Sequence, residues 1–167
     1  ISVRASKDDK EWQDMKLIAI SDFENLSVNQ LVSLSGTQYP SRREILVNDD
    51  FMSDTGFQLG DQVQVELPNG EIQTLPLVGI VGDQVTDAGD FTADPKAYAS
   101  METIEALGIP GHYNRLFVRI AGEGSDTAEI EALAEDIEYK LERSQREIYR
   151  SEIKVTDEHP MGSLILA

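Results

Sequence analysis

A β-hairpin signal in the middle of the chain constrains the fold more than any other feature. Residues 62–67 alternate apolar and polar side chains, as a strand with one buried face does. Asn69-Gly70 follows, and this pair favours a type I′ turn because both central residues of that turn need positive φ. The returning strand, residues 71–81, contains Pro76, which cannot donate to a ladder and predicts an edge position or a bulge. The middle of the chain is therefore predicted to be β-rich.

The N-terminal third carries further strand patterns and one helix start. Asn48-Asp49-Asp50 is a capping sequence that predicts a short helix through Ser53. Short apolar or alternating runs predict the strands, which are residues 1–4, 15–20, 30–35 and 43–47.

The C-terminal third favours a strand–helix–strand unit. A helical stripe over residues 98–107 ends at Gly108, and residues 115–121 are predicted to be a strand. Asp126 and Glu129 form a capping-box-like start for a long amphipathic helix, and residues 152–156 form a last strand. The expected fold class is α+β: a discontinuous, βαβ-like α/β subdomain with a small β-rich subdomain inserted into it.

The predicted domain boundaries follow the change from α/β to all-β patterns. The α/β subdomain takes residues 1–29 and 96–158, and the inserted β-rich subdomain takes residues 30–82. An acidic linker covers residues 83–95, and the apolar end, residues 159–167, is interpreted as the approach to a membrane helix. A chain with these ends looks like part of a larger protein.

Charge excludes one class of partner. The 167 residues carry a net charge of −17, which repels phosphate backbones and argues against nucleic acid as a partner. There is no cysteine, so disulfides, thiolate metal sites and cysteine nucleophiles are excluded.

The templates for catalysis and cofactor binding find no match. There is no G-x-S-x-G, no phosphate-binding glycine loop and no pair of histidines at metal-ligand spacing. We therefore predict no catalytic residue, no cofactor and no enzymatic activity. The one weak metal candidate is the acidic loop with Asp83, Asp87, Asp90 and Asp94, whose spacing does not match an EF-hand.

Three residues are candidates for contact with a partner. Arg42 and Arg43 form a rare basic pair in an acidic chain and are able either to anchor an acidic partner or to pair with local carboxylates. Trp12, the only tryptophan, is either a core residue between the modules or an interface anchor.

The order of these motifs resembles the extracytoplasmic domain of FtsX-like, MacB-like ABC transporter permeases. The matching positions begin near residue 31. They are Gly36 with Pro40 and Arg42, Glu44-Ile45-Leu46-Val47, the short helix at residues 50–53, Leu59-Gly60-Asp61, and Leu77-Val78-Gly79-Ile80-Val81. The first membrane helix of that family, and the strand and helix after it, have no counterpart at the front of this chain.

The resemblance implies a porter-type α/β subdomain and a role in mechanotransmission. The domain would lie on the periplasmic or extracellular side of the plasma membrane and couple ATP-driven motion of membrane helices to substrate export or partner activation. The implied partners are a cytoplasmic ATPase subunit or domain, a second permease copy and an adaptor protein. Gly82, Gly89 and Pro95 are the candidate hinge residues between the subdomains.

Two other functions stay open on the sequence. One is a soluble domain that senses a small ligand or a cation through the acidic loop, which predicts a deep polar-lined pocket. The other is a hydrolase with a carboxylate pair, which predicts two close carboxylates with their pKa values pushed apart.

Overall fold

Seven strands and three helices form over the residues that the computed structural model describes, which are 1–83, 95–118, 127–151 and 153. The strands are β1 (Ser2–Ser6), β2 (Gln13–Ile20), β3 (Leu31–Gly36), β4 (Ile45–Asn48), β5 (Gln62–Glu66), β6 (Ile72–Asp83) and β7 (Lys96–Ser100). The helices are α1 (Asp49–Thr55), α2 (Met101–Ala106) and α3 (Thr127–Arg143).

Six of these strands close into a β-barrel. The sheet order is β3-β6-β4-β7-β2-β1-β5, and β5 pairs again with β6, which closes the ring and leaves β3 outside it. Two pairs of adjacent strands, β2–β7 and β4–β6, are parallel, and the other pairs are antiparallel. The twelve-residue strand β6 makes closure possible, because its first half pairs with β5 and its second half with β4 and β3.

The barrel interior is filled by alternate residues of its strands. Because successive side chains of a strand point to opposite faces, every second residue enters the core. The aromatic residues Phe51 of α1 and Phe57 stack at 5.2 Å between ring centroids and complete this core with Ile104 of α2. The strand residues in the core are Val3, Ala5, Met15, Leu17, Ile45, Val47, Val63, Val65, Leu75, Leu77, Ala97 and Ala99.

A second, smaller core lies on the opposite face of the same strands. Leu46 and Tyr98 alternate with interior residues and are buried, and Val81 joins them because the register of β6 against β4 shifts after Leu77. Phe23 and Leu31 pack against them, so the segment that leads into β3 covers part of the outer face of the barrel. Burial on both faces explains why all four residues of β4 are buried.

Two local predictions are confirmed in the middle of the chain. Asn48 is the N-cap of α1, and its side-chain oxygen accepts a hydrogen bond from the N–H of Phe51. The hairpin also forms, with Glu66 opposite Ile72. The predicted turn type is wrong, because only Gly70 of the Asn69-Gly70 pair has positive φ. Pro68 precedes them, and its fixed φ suits the first central position of a type I turn, which the N–H of Gly70 closes by donating to the carbonyl oxygen of Leu67 at 2.9 Å.

The predicted fold class is wrong. Strands assigned to an α/β subdomain (β1, β2 and β7) and strands assigned to an inserted β-rich subdomain (β4, β5 and β6) belong to one closed barrel. The predicted porter-type βαβ unit is also absent from the described residues. Residues 96–100 form a strand where a helix was predicted to begin, and residues 115–118, the described part of the strand predicted at residues 115–121, have no regular structure.

Contacts divide the chain into two units, Ile1–Leu116 and Phe117–Ala167. The first unit holds the barrel, β3, α1 and α2. In the second, α3 is amphipathic as predicted, but none of its residues is buried. In the described residues, no helix is both long and apolar enough to cross a bilayer.

Candidate interaction surface

Strand β3 is the outermost strand of the sheet and the most exposed. It pairs with β6 on one side, and among the described residues no strand pairs with its other side. Every residue after Leu31 is exposed along this strand. Val32 is 50% exposed and Leu34 55%, although apolar residues of this size usually lie inside. Within the part of the chain that the structure describes, the strand therefore presents an unpaired backbone edge and apolar side chains.

A close approach of two glycines holds β3 on the barrel. Gly36 lies opposite Gly79 of β6, and the N–H of Thr37 donates to the carbonyl oxygen of Val78 at 3.0 Å. A Cβ atom on Gly79 would lie 1.9 Å from the carbonyl oxygen of Thr37, so only glycine fits there. Gly36 has a φ of 72°, which also favours glycine. This contact fixes where the exposed strand lies.

Loops on either side of β3 extend the surface. A shallow depression of about 220 Å³ adjoins the strand, and Tyr39 at its border is 49% exposed. Leu59, which is 43% exposed, lies at the far end, where its Cδ1 atom would be 3.0 Å from a Cβ placed on Gly36. The depression is lined by Phe23, Glu24, Leu26, Gln30, Leu31, Gln38 and Tyr39. We call Val32, Leu34, Tyr39 and Leu59, together with the edge of β3, the neutral surface.

The sequence carries a signal for this surface that secondary-structure patterns do not show. Residues 25–41 contain no charged side chain, whereas the chain is 27% charged. A run of this length at the average composition would hold about four to five charged residues. Edge strands in natural proteins are usually protected by charge, proline or a β-bulge, and β3 has only the bulge that its register shift between Ser33 and Ser35 marks. An uncharged, exposed edge strand is therefore a candidate docking site.

Acidic side chains border the neutral surface but are engaged in local bonds. Asp22 accepts hydrogen bonds from the side chain and backbone of Asn25 and from the N–H of Glu24, and these bonds lower its pKa. The carboxylate of Asp61 accepts from Lys7 at 2.6 Å and from the N–H of Gln58, and both bonds lower its pKa. Both carboxylates therefore shape turns next to the neutral surface.

Arg42 and Arg43, the predicted anchor for an acidic partner, are both exposed on the loop between β3 and β4. The Arg43 guanidinium donates to Gln73 at 3.1 Å, and its N–H donates to Thr103 Oγ1 at 2.8 Å. Arg43 has a φ of 67°, which is uncommon outside glycine, and Thr103 is fully buried where it holds this conformation. Arg42 has no ion pair within the described part of the chain. The structure therefore places the arginine pair on a fixed loop and leaves its role as an anchor a prediction.

Trp12 is half-buried, just before β2, with the Arg4 guanidinium 5.6 Å from its ring centroid. Arg4 also forms an ion pair with Glu66 across β1 and β5. Trp12 lies outside both hydrophobic clusters. Trp12 therefore lies beside Arg4, outside the barrel core, and its role as an interface anchor stays a prediction.

Two of the three predicted hinge residues, Gly82 and Pro95, lie in the part of the chain that the structure describes. Gly82 lies in β6 opposite Val32, and the carbonyl oxygen of Pro95 accepts from the N–H of Lys16 at 2.8 Å. Gly89 lies outside the described residues, as do Asp87, Asp90 and Asp94 of the acidic loop. Asp83 ends β6 opposite Leu31. Hinge and cation loop both stay predictions.

Within the described ranges, no group of three or more histidine, aspartate or glutamate side chains is arranged to hold a metal ion. A second shallow depression, of about 280 Å³, lies beside the Arg4–Glu66 pair. Its lining includes two carboxylates, Asp14 and Glu66, which lie opposite Arg4 on the two strands that flank β1, and Glu66 forms the ion pair with Arg4. Comparisons with family models, with curated proteins and with solved structures give no match for this chain.

Proposed function

We propose that the barrel is a docking module that binds an extended segment of a partner protein along the free edge of β3. The observation that carries this proposal is the exposed, uncharged strand at the end of the sheet, with Val32 and Leu34 about half exposed. An added strand takes its affinity from backbone hydrogen bonds and its specificity from side chains that fit on either side.

Charge supports the choice of an uncharged segment as the ligand. The domain as a whole is strongly acidic, so an acidic segment would be repelled on approach. The neutral surface has no cation along β3 to attract such a segment. A segment of alternating apolar and small polar residues matches the strand best, because it satisfies the backbone edge and covers Val32 and Leu34.

The proposed setting is the extracytoplasmic side of an FtsX-like ABC transporter permease. What supports it is the order of sequence motifs, since Glu44–Val47, Leu59-Gly60-Asp61 and Leu77–Val81 occur in the order that the family shows. In this setting the module would couple ATP-driven motion of membrane helices to substrate export or partner activation. A cytoplasmic ATPase, a second permease copy and an adaptor protein are the proposed partners.

The setting is tested on the complete reading frame of the gene. We expect a hydrophobic segment of about 20 residues on each side of this domain, because that length spans a bilayer as a helix. A neighbouring ATPase gene would add support. A reading frame without hydrophobic spans on either flank would exclude the permease setting and leave the docking proposal to its own test.

The docking proposal is tested with a defined set of probes. Fluorescein-labelled ten-residue peptides that alternate apolar residues with serine or threonine, and that carry no charge, are titrated with the purified domain. We expect saturable binding, and we expect the double variant Val32→Lys/Leu34→Lys to weaken it at least tenfold, because charges on an edge strand oppose strand addition.

Ile72→Lys is the matched control. Ile72 is 51% exposed and lies at the opposite end of β6 from the residues that pair with β3, so it gives the same apolar-to-lysine change at similar exposure. It should leave peptide binding unchanged. Failure of every peptide to bind, or an equal loss of binding in Ile72→Lys, would refute docking along β3.

A further inference from the structure

We propose that the segment bound at the edge of β3 is β3 of a second copy of this chain, paired antiparallel across a two-fold axis at Ser33. This inference rests on the proposed docking function, since it names the partner of the same surface. It follows from charge, from the sequence of the strand and from the position of the strand at the end of the sheet.

Charge restricts where two copies can meet. Each copy carries a net charge of −17, so most faces would bring like charges together. At physiological ionic strength, charges interact mainly within about 8 Å, so the charges next to the contact decide the outcome. Residues 25–41 contribute none; of the carboxylates that border them, Asp83 lies at the end of β6 opposite Leu31, and Asp22 and Asp61 accept local hydrogen bonds. The neutral surface is therefore where two copies meet with the least repulsion.

The strand is complementary to itself in the antiparallel direction. A two-fold axis at Ser33 places Val32 opposite Leu34 of the second copy, and Leu34 opposite Val32 of the second copy. Both residues are about half exposed in the single chain, and the pairing would cover all four side chains. Contacts of this kind are isologous and close after two subunits, so they form a dimer and not an extended array.

The shape of β3 limits the strength of the pair. Its register against β6 shifts between Ser33 and Ser35, which marks a bulge that bends the strand. Only a few residues from each copy can then pair, and such a contact falls in the small, transient class of interfaces. We expect a dissociation constant between about 10 µM and 1 mM.

Single cysteines test the position of the axis, because the chain contains no cysteine of its own. Residues directly opposite in an antiparallel pair have Cα atoms about 4.5–5.5 Å apart, within the range that a disulfide spans. Ser33→Cys should therefore form a disulfide-linked dimer under mild oxidation. Ser35→Cys is the matched control, because it lies on the same exposed strand but about 13 Å from its counterpart in the second copy.

We expect Ser33→Cys to form at least ten times more dimer than Ser35→Cys at equal time and concentration. Adding Val32→Lys and Leu34→Lys to Ser33→Cys should abolish the difference. Sedimentation equilibrium of the unmodified chain gives an independent measurement, in which the apparent mass rises above 18.5 kDa with concentration in the wild type and stays constant in the double lysine variant.

The possible failures are distinguishable. Equal, slow cross-linking at both cysteines would indicate random collision and overturn the dimer, as would a wild-type mass that stays at the monomer value up to about 1 mM. If either result overturns the dimer while the uncharged peptides still bind at Val32 and Leu34, the docking proposal stands and the partner is another protein. If the peptides also fail to bind, both proposals fall.

Discussion

Replacing Gly79 with alanine should separate β3 from the barrel, and Gly82 provides the comparison. Both glycines lie in β6 where it pairs with β3. A Cβ on Gly79 would lie 1.9 Å from the Thr37 carbonyl oxygen and 2.9 Å from Leu46 Cδ2, whereas a Cβ on Gly82 has no neighbour closer than 3.9 Å. The added methyl group is therefore crowded at position 79 and has free space at position 82.

The cost of Gly79→Ala can be worked from these distances. A carbon atom approaches a carbonyl oxygen to no less than about 3.3 Å, so the Thr37 backbone must move by about 1.4 Å. Overpacking costs about 1–3 kcal/mol, and we expect the upper end, because a backbone oxygen cannot rotate away as a side chain can. Gly82→Ala should be neutral or stabilise the fold by up to about 1 kcal/mol. A difference of about 3 kcal/mol changes the ratio of folded to unfolded protein more than a hundredfold.

Urea unfolding followed by the fluorescence of Trp12, the only tryptophan, measures the global effect. Hydrogen exchange at residues 31–36 measures the local effect, because β3 alone can detach while the barrel stays folded. We expect Gly79→Ala to lower the unfolding free energy, to lose amide protection in β3, or both. If Gly79→Ala matches Gly82→Ala within 0.5 kcal/mol and keeps the protection of β3, the close-approach argument is wrong.

Three further substitutions test other parts of the fold. Asp61→Asn removes the carboxylate that binds Lys7. Since the folded pKa of Asp61 is lowered, its stabilisation is present above about pH 4 and fades as the pH falls through the folded value, so the melting temperatures of variant and wild type should differ at pH 7 and the difference should shrink as the pH falls below about 4. Thr103→Val leaves the N–H of Arg43 without its acceptor and should cost about 1–3 kcal/mol in urea unfolding, while Thr103→Ser, which keeps the hydroxyl, should cost clearly less; equal losses would contradict this account. Phe51→Ala opens the centre of the core and should cost about 3–5 kcal/mol, and a loss below 1 kcal/mol would show that the Phe51 site collapses without cost.

Local features of the fold could be predicted because their signals lie within a few residues. The alternation over residues 62–67 gave strand β5, and Asn48 marked the start of α1 through its own side chain. Gly108 follows α2 with a φ of 73°, as expected for a residue after a helix end. In each case the residue type itself specifies the backbone conformation.

Barrel closure could not be predicted from such signals. The pairs β1–β5 and β2–β7 join segments that are distant in sequence, and no short pattern encodes which strands meet. The apolar stripe over residues 98–107 predicts a helix that begins at Tyr98, but residues 96–100 form strand β7 and the helix begins only at Met101. Burial decides otherwise, since Ala97 and Ala99 fill the barrel interior while Tyr98 enters the outer core.

The candidate surface was missed for a different reason. Residues 30–35 were recognised as a strand, but alternation does not show whether a strand lies inside a ring or outside it. The signal in the sequence is the absence of charge over residues 25–41, a property that patterns of apolar spacing do not measure. Arg42 and Arg43 are candidates as a rare basic pair in an acidic chain, and Trp12 as the only tryptophan; the structure shows the N–H of Arg43 bonded to Thr103 and the Arg4 guanidinium 5.6 Å from the Trp12 ring.

The position of β7 between β4 and β2 has a consequence for protein synthesis. Both neighbours leave the ribosome before β7 does, and at about 5–20 residues per second the interval from the end of β4 to the end of β7 is roughly 3–10 s. During that time β2 lacks one neighbour, and β4 lacks β7 throughout and β6 as well until residue 83 has been synthesised. The nascent chain therefore depends on the five-residue strand β7, the last barrel strand to be synthesised, to pair with the open edges of β2 and β4 and so protect these apolar strands from aggregation.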